Sequence, residues 1–255
     1  VFFANLLGSF LGASLLLLYY QKVLYVPYHT AITKLYYSFS LPLFPAVLGS
    51  WLNNHASKFL MILYLSKGQL GIFTAALKFA SILKFGDYVF RMAWTPFYLK
   101  EIKSPNHKEL FISIFNKLLL FFAVGMILFH YIKKPLSKLL FSNAEFYSAS
   151  EFISPLAFCV ILTTLVQVVG MGPIIAKKTI YNTYNFLISI SVFLIAFFIL
   201  VPIYGIHGAV YSQLLSSITL VVVSWYNSNK LYPIKFNKLY VFLFILSMLV
   251  IIYSF

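Results

Sequence analysis

The stretch GIFTAALKFASILKFGDYVFRMAWTPF, from Gly71 to Phe97, is long and apolar enough to cross a bilayer, yet Lys78, Lys84, Asp87 and Arg91 lie in its interior. A Lys, Arg or Asp at the centre of a lipid-facing helix costs about 2.5 to 3.5 kcal/mol, so a set of four would cost roughly ten. Such charges must face protein or water. At 100° per residue Lys84, Asp87 and Arg91 fall within about 60° of one another, Asp87 being i+3 from Lys84 and i−4 from Arg91. One carboxylate then offsets two cations and leaves a net positive stripe. Lys78 points elsewhere on the helix, near its outer end, where its stem can snorkel.

A second cluster lies upstream in SWLNNHASK, where Ser50, Asn53, Asn54, Ser57 and Lys58 share one helical face of about 140°. Trp51, Leu52, Ala56 and Phe59 take the remainder. The Ser and Asn groups could be structural glue between helices. Lys58 is harder to explain that way, because an ionisable residue inside a membrane marks a functional site by default. Two neighbouring helices with cationic, polar faces predict a wet, positive cavity suited to an anionic ligand, with Lys58, Lys78, Lys84 and Arg91 as its cations. Asp87, Asn53, Asn54 and Ser57 support them.

Other chemistries find no constellation. His29, His55, His107, His130 and His207 are far apart and lack a spacing such as HExxH, so they read as interface or packing residues. Cys159, alone in an apolar run, offers neither a disulfide nor a CxxC metal site. No metal and no cofactor is expected.

The elements that position these charges follow from composition. Of 255 residues 62% are hydrophobic and 9% charged, against an apolar share of about half in soluble domains. This is the composition of an integral membrane protein. A net charge of +14 could suit nucleic acid, but the lysines and the single arginine are scattered among apolar runs and form no basic patch. No nucleic-acid partner is expected; the lipid bilayer is. The chain opens VFFANLLGSFLGASLLLLYYQK, which lacks the basic segment of a signal peptide and reads as a chain entered partway through.

With about 20 residues as the length of a span, eight candidate helices run roughly over 2–20, 39–65, 70–98, 113–132, 151–173, 181–201, 206–227 and 239–255. Apolar segments of this length are too long for membrane strands, which need only about ten residues and alternate in polarity. The fold class is therefore all-α, a polytopic membrane helix bundle of about eight transmembrane helices. Pro42, Pro45 and Pro96 fall near helix ends, where proline is tolerated. PIYGIHGA, with Pro202, Gly205 and Gly208, predicts a short turn and a small face for close helix packing. Tyr19, Tyr20, Trp94, Tyr98, Trp225 and Tyr226 suit interfacial belts.

Cytoplasmic loops collect lysine. The loops after the first, third, fifth and seventh helices hold ten: Lys22, Lys34, Lys100, Lys103, Lys108, Lys177, Lys178, Lys230, Lys235 and Lys238. The alternate loops hold four, Lys67, Lys133, Lys134 and Lys138. Residue 1 should face outward and the loop 21–38 the cytoplasm. FSNAEFYSAS, behind the three dissenting lysines, reads as a short amphipathic element at the outer interface.

LPLFPAVLGSWLNNHASKF, then GIFTAALKFASILKF and AWTPF, then IIAKKTIYNTY, and finally LVPIYGIHGAVYSQLLS and LYPIKFNKL resemble, in order, the C-terminal half of the polysaccharide biosynthesis flippases. These are the O-antigen and exopolysaccharide lipid-linked oligosaccharide transporters of the multidrug/oligosaccharidyl-lipid/polysaccharide exporter superfamily. The similarity spans about residues 36 to 238. In that family two six-helix bundles face each other across a central cavity. The resemblance implies that residues 1–20 are the last helix of an N-terminal lobe, 21–38 a cytoplasmic linker, 39–228 the six-helix C-terminal lobe, and 239–255 an additional transmembrane helix. It also implies a multi-pass protein of the bacterial inner membrane and, as partners, a lipid-linked oligosaccharide diphosphate and the missing N-terminal lobe. The chain departs from the pattern at Ser57-Lys58, where the family usually has Asp-Arg, and in ISISVFLIAFF, which lacks the asparagines often seen there. The resemblance therefore assigns no ion-coupling acid or amide.

The expected function is alternating-access translocation of a polyprenyl-diphosphate oligosaccharide for cell-surface polysaccharide biosynthesis, and not an enzyme activity. A polysaccharide polymerase or ligase would need a large extracytoplasmic loop with catalytic groups, and no outward loop exceeds about 20 residues. A drug/cation antiporter of the same superfamily should carry cavity acids, whereas Asp87 is flanked by two bases and makes a poor cation trap.

Overall fold

The computed structural model describes residues 2–20, 34, 37, 40, 41, 44, 60–140 and 144–253. They belong to two compact units, Val1–Phe39 and Ser40–Phe255. In the first, α1 (Phe2–Tyr20) is apolar all round, as a helix surrounded by lipid would be. The second holds α2 (Lys67–Glu101), α3 (His107–Leu140), a 3₁₀ turn (Ala144–Ser148), α4 (Ala149–Val169), a single helical turn (Gly172–Ile175), α5 (Ile180–Tyr204), α6 (Ile206–Leu231) and α7 (Lys238–Tyr253). No strand occurs among the described residues. Four segments, His107–Leu139, Phe146–Ile175, Ile180–Tyr204 and Ile206–Leu231, are long and apolar enough to cross a membrane. The protein is all-helical and suited to being embedded in a bilayer.

At the middle of the second unit runs α4, which packs against α2, α3 and α6 and buries residues all round its circumference, Phe152, Leu156, Phe158, Leu162 and Leu165 among them. Lipid tails give no hydrophobic drive for helices to associate, so close packing and interhelical hydrogen bonds must hold such a bundle. The α5–α6 hairpin shows both. Gly205, at φ +55° and ψ −125°, occupies a region essentially reserved for glycine. Three residues on, a Cβ added to Gly208 would sit 2.3 Å from the carbonyl oxygen of Leu200. The two backbones touch there, which is the close packing expected of PIYGIHGA. Farther along the same seam the Ser189 hydroxyl donates to the Ser216 carbonyl oxygen at 2.9 Å and the Ser216 hydroxyl to that of Ser189 at 3.0 Å.

Several boundaries differ from expectation. A capping box starts α2: the Gln69 N–H donates to Ser66 Oγ at 3.3 Å and the Ser66 N–H to Gln69 Oε1 at 3.1 Å. The helix then continues through Pro96 to Glu101. Likewise α3 passes through Pro135 to Leu140, so Lys133, Lys134 and Lys138 lie on a helix and not in a loop. A proline deletes one backbone bond, and here tertiary contacts hold the turn: buried Lys133 Nζ lies 3.3 Å from His130 Nδ1, itself 3.4 Å from the Ser154 hydroxyl of α4. The helix expected over 151–173 instead stops at Val169, and the Gly172 N–H donates to Ser228 Oγ of α6 at 2.9 Å. Trp94 and Tyr98 are buried and belong to no interfacial belt, the Trp94 indole donating to the Gln167 carbonyl at 3.0 Å. Of the FSNAEFYSAS segment, Ala144–Ser148 form the 3₁₀ turn, residues 141–143 lie outside the described residues, and Phe146 packs over Gly71 of α2.

Antiparallel connections gather charge at one end of the second unit. There the Tyr232 hydroxyl pairs with His107 Nε2, and Lys108 lies 5.2 Å from the Tyr232 ring centre. Burial pushes the Tyr232 phenol above its ordinary value. Lys100, Lys103, Lys108, Lys177, Lys178, Lys230, Lys235 and Lys238 all belong to the helix ends and turns at this side. At the other end, where Leu65 meets Gly205 and Phe152 meets His207, stand Lys67 and Lys138.

Candidate functional site: the charged face of α2

With 35 residues, α2 is about 52 Å long and its midpoint is Lys84. A span of about 20 residues centred on it would run roughly from residue 74 to residue 94. Lys84, Asp87 and Arg91 therefore sit in the middle stretch of the helix. Their setting follows from the distribution of apolar residues. Phe73, Ala76, Phe79, Ala80, Trp94 and Tyr98 form the buried face, while Ile82, Phe85, Val89 and Met92 are exposed. The charges occupy the boundary between these two apolar surfaces.

The structure pairs two of the expected site residues, Asp87 and Arg91. Arg91 Nη2 lies 2.8 Å from Asp87 Oδ2, with the Arg91 side chain 52% and the Asp87 side chain 11% exposed. Helical side chains lean toward the N-terminus, which carries Arg91 back onto the residue one turn earlier. The carboxylate thus sits on the inner side and the guanidinium on the outer. Asp87 Oδ1 is buried and meets no hydrogen-bond partner among the described residues. Lys84 is exposed one turn before Asp87. One carboxylate between two bases leaves this boundary net positive.

Polar residues extend the line beyond the charges. Ser81, Lys84, Tyr88, Arg91 and Thr95 recur at alternating steps of three and four, a spacing that holds them to one side of the helix. Ser81, Tyr88 and Thr95 were not singled out by charge, but the heptad spacing they share with Lys84 and Arg91 carries that signal. The ion pair with Asp87 uses one of the five N–H donors of Arg91. The remainder can bind a second acceptor, and a planar, always-charged guanidinium suits a phosphate oxygen pair.

Lys78 does not join this stripe. About 120° round the helix from Lys84, it lines a separate groove with Lys67, Leu70, Gly71, Thr74, Ala75 and Phe146. The polar cluster of Ser50, Asn53, Asn54, Ser57 and Lys58 lies outside the described residues. His130 with Lys133, buried between α3 and α4, is a polar pair that neither spacing nor periodicity had marked. Among the described residues no three His, Cys, Asp or Glu side chains converge as a metal site would require. No protein-family model, no curated protein and no solved structure matches the chain.

Proposed function

We propose that this chain is the later lobe of a flippase that carries a polyprenyl-diphosphate-linked oligosaccharide across the cytoplasmic membrane of a bacterium by alternating access. The observation that carries the reading is the stripe on α2. Arg91 is half exposed in the middle stretch of α2, which in this reading lies in the hydrocarbon layer where a lipid-facing cation is costly, and most of its donors remain for another acceptor. A diphosphate crossing a low-dielectric region needs such partners, because its charge is expensive to desolvate and charge-assisted hydrogen bonds offset that expense. Lys84 adds a second cation one turn beyond the carboxylate. Asp87 lowers the cost of holding both cations while the site is empty.

In this reading eight helices cross the membrane, the segment 39–65 being one of them. Residues 1–20 close the first lobe, 39–228 form the second, and 239–255 add a further helix. The lysine-rich end faces the cytoplasm. A two-lobe transporter alternates by rocking one lobe against the other around a shared site, so the partner lobe supplies the opposite wall.

The test uses the full-length protein in its own cells, read out as surface polysaccharide per unit of membrane-inserted protein. Lys84→Ala should abolish polysaccharide at unchanged abundance, and Arg91→Ala should abolish it per unit of inserted protein, beyond any loss of abundance. Arg91→Lys should restore it in part, since lysine offers a point charge where arginine offers a fork. Normal polysaccharide in Arg91→Ala cells would sink the reading.

A further inference from the structure

The groove around Lys78 is a separate feature, and its chemistry differs from that of the stripe. Lys67 and Lys78 are eleven residues apart, three turns, which places them about 16 Å apart along α2 and within about 20° of the same side. Thr74 lies between them, and Leu70, Gly71, Ala75 and Phe146 supply an apolar wall. Both lysines are exposed, while Thr74, Leu70 and Phe146 are half-buried. The groove therefore pairs a cationic rim with a greasy side.

Depth decides what could lie there. If α2 crosses the bilayer centred on Lys84, Thr74 falls at the edge of the hydrocarbon layer and Lys78 about 6 Å inside it. The Lys78 stem leans toward the helix N-terminus, that is toward Thr74 and Lys67, and this brings its ammonium up to the headgroup level. Its neighbours on the hydrocarbon side, Ile82 and Phe85, are 57% and 74% exposed. An ammonium at the level of lipid phosphates, above exposed apolar side chains, has the polarity profile of a phospholipid.

We infer that Lys67, Thr74 and Lys78 form a binding site for an anionic phospholipid of the surrounding bilayer. The phosphate rests between the Lys78 ammonium and the Thr74 hydroxyl, with Lys67 adding charge at the headgroup, and an acyl chain descends past Leu70, Ala75 and Phe146 toward Ile82. The site rests on the part of that reading in which α2 crosses the bilayer, and not on what the protein transports. It also gives Lys78 a role apart from Lys84 and Arg91.

A site-specific lipid assay tests this. Bimane is attached at Ile82→Cys in a Cys159→Ala background, and the chain is reconstituted in dioleoylphosphatidylcholine vesicles holding one tenth phosphatidylglycerol. Quenching by dibrominated acyl chains, carried either on phosphatidylglycerol or on phosphatidylcholine, reports which lipid lies beside residue 82. Two lysines near an anionic surface should enrich phosphatidylglycerol there about tenfold or more over the bulk. Lys67→Ala with Lys78→Ala should return the ratio to the bulk value, whereas Lys177→Ala with Lys178→Ala, which removes equal charge at the other end, should leave it enriched. Thr74→Phe should weaken quenching by both lipids and serves if the double lysine variant does not fold. Added glycerol phosphate, which has the headgroup chemistry without chains, should displace nothing. A ratio near the bulk value in the unsubstituted background overturns the proposal by itself. So do retention of enrichment without Lys67 and Lys78, an equal loss on removing Lys177 and Lys178, or displacement by glycerol phosphate.

Discussion

Replacing Asp87 by asparagine tests whether the carboxylate steadies the two cations, and it does so without reference to transport. The change removes the 2.8 Å pair with Arg91 and takes away the one carboxylate in the middle stretch of α2. An unpaired cation at that level costs about 2.5 to 3.5 kcal/mol when it faces lipid. Arg91, however, is 52% exposed, so part of that cost is relieved already, and solvent or headgroup screening weakens the pair. Roughly half is a fair discount, giving about 1 to 2 kcal/mol. At about 2 to 4 °C per kcal/mol for a chain of this size, the apparent midpoint should fall by roughly 2 to 8 °C. The protein carries its own reporter: Cys159, the one cysteine, is 5% exposed and should react with a fluorogenic thiol reagent only as the bundle opens. Arg91→Gln should destabilise as well, by stranding a carboxylate that is 11% exposed. The double variant Asp87→Asn/Arg91→Gln should then be more stable than the sum of the singles implies, with a coupling of about 1 kcal/mol. Strict additivity, or an Asp87→Asn midpoint equal to wild type, would refute the argument that the pair is what makes the charges tolerable.

Two further predictions use the same preparation. Gly208→Ala should lower the thiol-reporter midpoint by several degrees, because its Cβ meets the Leu200 backbone at 2.3 Å, whereas Gly86→Ala and Gly125→Ala, with nothing within 4 Å, should be neutral or stabilising; equal effects at all three would deny the backbone contact. For sidedness, single cysteines at Asn106 and Lys235 should be shielded from an impermeant thiol reagent in intact cells and one at Gly68 should react. The opposite pattern would reverse the orientation.

The helical class and most helix positions were legible because a bilayer imposes a length on apolar runs, and α5 and α6 fall within a few residues of where that length puts them. Legibility failed where tertiary contacts override local chemistry. KKPLSK reads as a helix end, with charge and a proline together, yet Lys133 is buried beside His130 and Ser154 and the helix continues. Trp94 and Tyr98 read as interfacial aromatics because amphipathic rings favour the headgroup layer, yet Trp94 finds the Gln167 carbonyl inside the bundle and stays there. The break after Val169 did have a signal, in Gly170-Met171-Gly172-Pro173, but only the packing shows why two glycines are needed: the Val166 carbonyl crowds Gly170 and the Ser228 backbone crowds Gly172. The charged stripe lies between these cases. Periodicity placed Lys84, Asp87 and Arg91 on one side of a helix, and the observed pair agrees with that placement. It could not say which member turns inward. That depends on side-chain tilt and on where α4 packs, and the result puts the single carboxylate inside and both cations at the edge. A counter-ion turned toward the bundle and cations at its boundary leave the middle of α2 folded with its outer edge net positive.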